Sequence, residues 1–337
     1  MAADSCHTFI GDNMEQILVG SYTTGTESDG IYRLKVEQGM IRDIEVVMFA
    51  EDPSYLLPVP GGLYWVNESL GSKEGKVGFA RKRLRGGYER IWEVGTKGEN
   101  PCHLALSPDG STLAVANYTS GSVAVYDVTG KEPNMLSLLE GRSGSVNTAR
   151  QEGPHPHFVL FRDNRTLWCS DLGADEVRLI ERDGDAWVQA DAPVKRFRPG
   201  DGPRHLLDCG DHWYAVTELS QQLCCFRENK EYRAPVVIDG VEGTGAALRM
   251  DDEGLLYCTQ RGMDLMTVFQ DTGEELQQVG IFSTGGAIPR DCLPVGNMVL
   301  CACQGSGDVT CLWREGWMWT GSDRVKAPGA VCLALEK

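Results

Sequence analysis

The sequence predicts an all-β chain folded as a seven-bladed β-propeller, with one blade closed by both chain termini. Three observations lead there: a motif repeated seven times, strand-like composition in every copy without helical patterning, and complementary fragments at the two ends. The clearest copy opens Asn100-Pro101-Cys102-His103 and continues through an apolar run to the turn Pro108-Asp109-Gly110. A second apolar run then ends on Asn117. With His103 as anchor, further copies align at Tyr55, His157, His205, Ala247, Asp291 and Ala330, spaced 39 to 54 residues apart. That is the period of a four-stranded blade.

Each element of the blade has its own signature. The second runs read GLYWVNE, STLAVANY, RTLWCSD, HWYAVTE, GLLYCTQ and NMVLCACQ, rich in β-branched and aromatic residues and of strand length. Third runs follow quickly, as in GSVAVYDV, DEVRLIER, QQLCCFRE and LMTVFQD. The 40 glycines and 15 prolines are scattered, as many tight turns require. The last copy, Pro328-Gly329-Ala330, supplies only an inner strand, whereas the start of the chain supplies the missing second and third strands, ILVGSY and GIYRLKV. Closing one blade from both ends removes free sheet edges. The expected organisation is a single propeller domain over 1–337, with 1–16 as a lead-in. A large β-sandwich, or a pair of smaller β domains, would explain the strands but not the seven copies or the matching ends.

Charge and composition narrow the function. With 48 acidic against 32 basic residues the net charge is −16, which repels phosphate backbones and anionic lipid, so neither nucleic acid nor a membrane is the expected partner. No run approaches the ~20 apolar residues needed to cross a bilayer. The opening MAADSCHTFIGDN lacks the basic start and apolar stretch of a signal peptide. The twelve cysteines do not form a secreted framework: Cys169, Cys258, Cys301, Cys303 and Cys332 sit in apolar runs as small hydrophobes. A cytoplasmic location follows as the expectation. Cys301 and Cys303, or the adjacent Cys224 and Cys225, offer no paired CxxC for structural zinc. No phosphate loop, dinucleotide fingerprint or GxSxG motif is present, so no organic cofactor and no serine nucleophile is expected.

The candidate site follows from blade geometry. The first strand lines the channel and the second returns antiparallel, so the start of one and the end of the other share a face. His155 and His157 should therefore neighbour Asp171, and Arg204 and His205 should neighbour Glu218. Likewise Arg290 should neighbour Gln304, and His103 should neighbour Asn117. Arg261, Glu68 and Tyr22 end their own second strands. Hairpin ends are often polar merely because water reaches them. Three arginines converging on one mouth of an acidic chain point instead to a small anionic ligand. His155 and His157, two apart on a strand, point to one face, which allows either a shared metal or acid–base work. The nearby arginines would compete for carboxylate ligands and favour the latter, so no metal is expected.

Several motifs together resemble the seven-bladed propeller lactonase family, which includes bacterial propeller-type 6-phosphogluconolactonases and fungal carboxymuconate cycloisomerases. They are GSYT with Gly30-Ile31-Tyr32, Gly153-Pro154-His155-Pro156-His157, Asp171-Leu172-Gly173-Ala174-Asp175, Gly202-Pro203-Arg204-His205 and Glu218-Leu219-Ser220. The resemblance runs from about Ile17 to Leu335 and implies catalytic roles for His155 or His157, Arg204, Glu218 and Arg261. His103, Asn117, Asp171, His205, Arg290 and Gln304 are the expected substrate-binding set. The family's N-R-G triplet reads Gln260-Arg261-Gly262 here, and an expected N-Q reads Cys303-Gln304. The implied reaction is hydrolysis of a sugar-acid lactone such as 6-phosphogluconolactone. A histidine or Glu218 would serve as base, Arg204 or Arg261 would hold the oxyanion, and Arg290 is a candidate for the phosphate. A cycloisomerase or lyase would use the same residue types, and a non-catalytic binding platform would use the outer surface. A calcium-dependent gluconolactonase would favour carboxylates and amides at the centre.

Overall fold

The computed structural model describes residues 14–71, 74–228, 230–236, 243–315 and 318–337. Seven antiparallel sheets form the blades of a propeller, and no helix occurs among the described residues. Residues 1–13 of the expected lead-in lie outside the described residues. The first strand starts at Glu15 rather than Ile17 and runs to Ser21.

The inner strands are Pro53–Val59, Pro101–Leu106, Pro156–Phe161, Pro203–Asp208, Thr244–Met250, Pro289–Val295 and Ala330–Leu335. The last of these pairs antiparallel with Glu15–Ser21, which carries Gly30–Glu37 and Met40–Phe49 on its other side. One blade is thus built from both ends of the chain, as expected. Glu336, just beyond the closing strand, is held by Arg33 through Nε at 2.6 Å and Nη2 at 2.7 Å. It also accepts from the Tyr88 hydroxyl at 2.6 Å.

Second strands are buried on both faces, which is why they read as continuous apolar runs rather than alternating ones. In Thr112–Asn117 every residue is buried. Leu113 and Val115 pack toward the preceding blade with Tyr64 and Val66, while Ala114 and Ala116 pack toward the next with Val159 and Cys169. This period-two division between neighbours recurs at all seven blade interfaces. Core burial therefore lies between blades, leaving the inner strands' first residues to line the channel.

Those residues share one irregularity. In six blades the register slips just after the first residue of the inner strand, and in the fifth after its second, Gly245, a β-bulge that turns an extra side chain toward the axis. The bulged residues are Ser54, Cys102, His157, Arg204, Arg290 and Val331, with Ala246 and Ala247 both unpaired in the fifth blade. His157 is accordingly the counterpart of Cys102 and Arg204. Phe158, which pairs with Ser170, is the counterpart of His103 and His205. The alignment of His157 with His103 in the repeat is thus corrected by one residue, because in this blade a histidine occupies the bulge itself, and that of Ala330 by two, to Cys332.

Candidate active site

Two rings of side chains meet at one channel mouth. One ring is the bulges. The other is the residue after each second strand, Glu68, Tyr118, Leu172, Glu218, Gln304 and Tyr22, with Arg261 as the last residue of its own. Against the bulge ring lies a small cavity of about 20 Å³, enough for about one water. Its walls are Ser54, Cys102, His157, Arg204, Arg290 and Val331, with Tyr55, His205 and Asp291 one residue further along their strands.

Glu218 is the hub. Its Oε2 accepts from Arg204 Nε at 3.0 Å and Arg261 Nη2 at 2.8 Å, and its Oε1 accepts from Arg150 Nη2 at 2.5 Å. Burial alone would favour the protonated acid. Arg261, Arg204, His157 and Arg150 outweigh it and hold the carboxyl well below the usual range. Arg204 is itself almost fully buried, donating also to His205 Nε2 at 2.7 Å and to the Ala246 carbonyl at 2.6 Å. Burial, aided by the Arg261 charge and opposed by Glu218, brings it down to about 10. Burial lowers Arg261 as well, despite Glu218.

The two histidines of the third blade differ sharply. His155 has both ring nitrogens engaged, Nδ1 with the Tyr118 carbonyl at 2.9 Å and Nε2 with Glu152 at 3.2 Å. His157 makes no ring hydrogen bond with a described residue, and its Nδ1 is buried without a partner. Burial, reinforced by Arg204 and only partly offset by Glu218, pushes it well below the ordinary histidine range, so at neutral pH the imidazole is uncharged.

The other expected binding residues separate. Arg290 lines the cavity with its guanidinium 5.4 Å from the Tyr22 ring centroid. Tyr22 in turn donates to Glu68 at 2.8 Å. His205 lines the cavity, whereas the buried His103 ring packs between Tyr55 and Phe158 and accepts from the Val159 amide at 3.2 Å. Asn117 and Asp171 precede the second ring by one residue, and their side chains turn into the blades. Asn117 donates to Ser122 Oγ at 3.1 Å, while Asp171 pairs with Arg178 and accepts the His155 amide at 2.7 Å. Gln304 is tied through its backbone amide to the Ile288 carbonyl at 3.0 Å.

Arg150 and Tyr118 belong to the mouth although the repeat did not mark them. Tyr118 follows Asn117, one residue past the strand end. Arg150 lies in the segment before the Pro154-His155-Pro156-His157 motif, and its place beside that motif was the available signal. Four guanidiniums, Arg150, Arg204, Arg261 and Arg290, thus gather with three carboxylates, Glu68, Glu152 and Glu218. The mouth is cationic within a protein of net charge −16. Among the described residues no group of three or more His, Cys, Asp or Glu side chains is arranged to hold a metal ion.

A seven-bladed propeller with neutral histidine, ionised carboxylate and clustered arginines at one mouth defines the class. Residues 16–335 match the family described as lactonase, 7-bladed beta-propeller, and the chain belongs to it. Among solved structures it is similar to a periplasmic gluconolactonase of Pseudomonas aeruginosa, with TM-score 0.87 and 27% identity over 96% of this chain and 99% of that one. A Bacteroides fragilis protein, provisionally described as a 6-phosphogluconolactonase, shares the fold at TM-score 0.85 and 24% identity, over 97% and 99% of the two chains. An uncharacterized protein of Staphylococcus saprophyticus is 29% identical over 295 residues, 81% of this chain and 83% of the relative.

Proposed function

We propose that the protein hydrolyses a sugar-acid lactone with a phosphate substituent, 6-phosphogluconolactone being the best-fitting substrate. Lactone hydrolysis as a class follows from the family. The observation that carries the finer reading is the cationic surplus at the mouth: four arginines face three carboxylates, so an anionic substrate completes the charge balance.

In this reading His157 is the general base. It is neutral, carries no competing ring hydrogen bond, and lines a cavity sized for the attacking water. Water oxygen adds to the lactone carbonyl carbon while His157 takes its proton. The resulting oxyanion is stabilised by Arg204 and Arg290, which line the same cavity. The ring C–O bond then breaks, and the leaving alkoxide recovers the proton from imidazolium, giving the open hydroxy acid. Glu218, held ionised by three arginines, fits a role in aligning Arg204 and Arg261 better than one as base. The free cysteines among the described residues, all buried except the half-buried Cys209, support a reducing, cytoplasmic setting.

The test is proton release from freshly prepared 6-phosphogluconolactone in the presence of a chelator, for wild type, Glu218→Gln and Arg204→Ala. Wild type should exceed the spontaneous rate, and each variant should lose about a hundredfold or more in kcat/KM. Wild-type hydrolysis no faster than the spontaneous rate would overturn the reading.

A further inference from the structure

We propose that Arg150 is the residue that selects phosphorylated over unphosphorylated substrates, capturing the remote oxyanion at the outer edge of the mouth. The inference rests on the lactonase reading and assigns a residue to the part of the substrate distant from the reacting carbonyl.

Three features of Arg150 set it apart from the other arginines around Glu218. Its side chain is 40% exposed, against 3% for Arg204 and 18% for Arg261. It is carried by a loop rather than a blade strand, so it approaches from outside the ring. Both of its contacts, to Glu218 at 2.5 Å and to the Tyr118 hydroxyl at 3.2 Å, use Nη2 alone. Neither Nε nor Nη1 is engaged by a described residue, so donors on two sides of the exposed guanidinium remain free. Either can give a charge-assisted hydrogen bond to an oxygen of a phosphate monoester.

The loop is also preorganised. Arg150 and Gln151 donate their amides to the Asn147 carbonyl at 3.1 and 2.6 Å, Ser145 donates to the Gln151 carbonyl at 2.9 Å, and the buried Gln151 amide group donates to the Leu172 carbonyl at 2.9 Å. Because Nη2 is already spent on Glu218 and Tyr118, the guanidinium plane is fixed before substrate arrives. Little side-chain entropy then remains to be lost on capture.

The experiment is calorimetric titration of the full chain with 6-phosphogluconate and with gluconate, which share the carboxylate and differ by the phosphate. Wild type should bind 6-phosphogluconate at least about tenfold more tightly. Arg150→Gln should bring that ratio close to one, weakening 6-phosphogluconate at least about tenfold more than gluconate. Arg150→Lys, which keeps the charge but loses the planar guanidinium that Glu218 and Tyr118 fix in place, should fall between. A preference retained in Arg150→Gln, equal weakening of both ligands, or no preference in wild type would each overturn the proposal. Failure of the lactonase reading would show separately, as absent turnover with these binding ratios still measurable.

Discussion

His155 stacks on Tyr118 with ring centroids 4.6 Å apart and planes 15° from parallel, while His157, two residues on, meets the same ring edge-on at 5.6 Å. The stacked ring, with both nitrogens bonded, braces the mouth. The other keeps its imidazole free beside the water-sized cavity. His157→Gln should therefore lower kcat by about 10² to 10⁴ with little change in KM. His155→Gln should act chiefly through KM and stability, with kcat falling less than about tenfold. Steady-state kinetics on the lactone decide it, and equal kcat losses would assign the base wrongly.

Acid should destabilise the fold earlier than carboxylate titration would. Burial holds His103, His157 and His205 all well below the ordinary histidine range. The unfolded chain takes up protons at these residues below about pH 6.5, whereas the folded chain does not. Stability is therefore complete above that pH and is lost as pH falls through it, by up to about 1.4 kcal/mol per pH unit for each histidine. Urea midpoints at pH 7.5, 6.5 and 5.5 measure the slope, which His157→Gln should reduce. A flat profile across that window would contradict the neutral, buried assignment.

The ring closure has a buried polar lock. The Glu336 carboxylate is almost wholly buried and takes two bonds from Arg33, whose side chain is also buried. Glu336→Gln leaves Arg33 with Glu45 as its remaining carboxylate and weakens the bonds from Arg33 and Tyr88, so it should cost about 1–3 kcal/mol. Thermal unfolding would show it as a lowered Tm, with mouth chemistry intact in the molecules that remain folded.

The fold was legible because blade strands are buried on two faces. Runs such as Leu113–Ala116 stand out, and Pro-led openings such as Pro101 and Pro203 recur at blade-length intervals. The bulge is backbone geometry without a residue code, so His157 was paired with His103 when its counterpart is Arg204. The same kind of offset made Asn117 and Asp171 look like mouth residues, because period-two alternation sends one of two adjacent polar side chains into the blade. Glu218, Arg204 and Arg261 were placed at one mouth correctly. Arg150 escaped because its loop carries no strand periodicity, and its role depends on where that loop lands.

The blade shared by both ends of the chain also sets an order in time. Ala330–Leu335 must find Glu15–Ser21 across nearly the whole sequence, a pairing whose loop-closure entropy makes it intrinsically slow. Until it forms, the cavity lacks Val331, and the strand edges at both ends stay exposed to other chains. Recovery of activity during refolding should therefore lag behind the appearance of β-structure, making catalysis a clock for the last step of assembly.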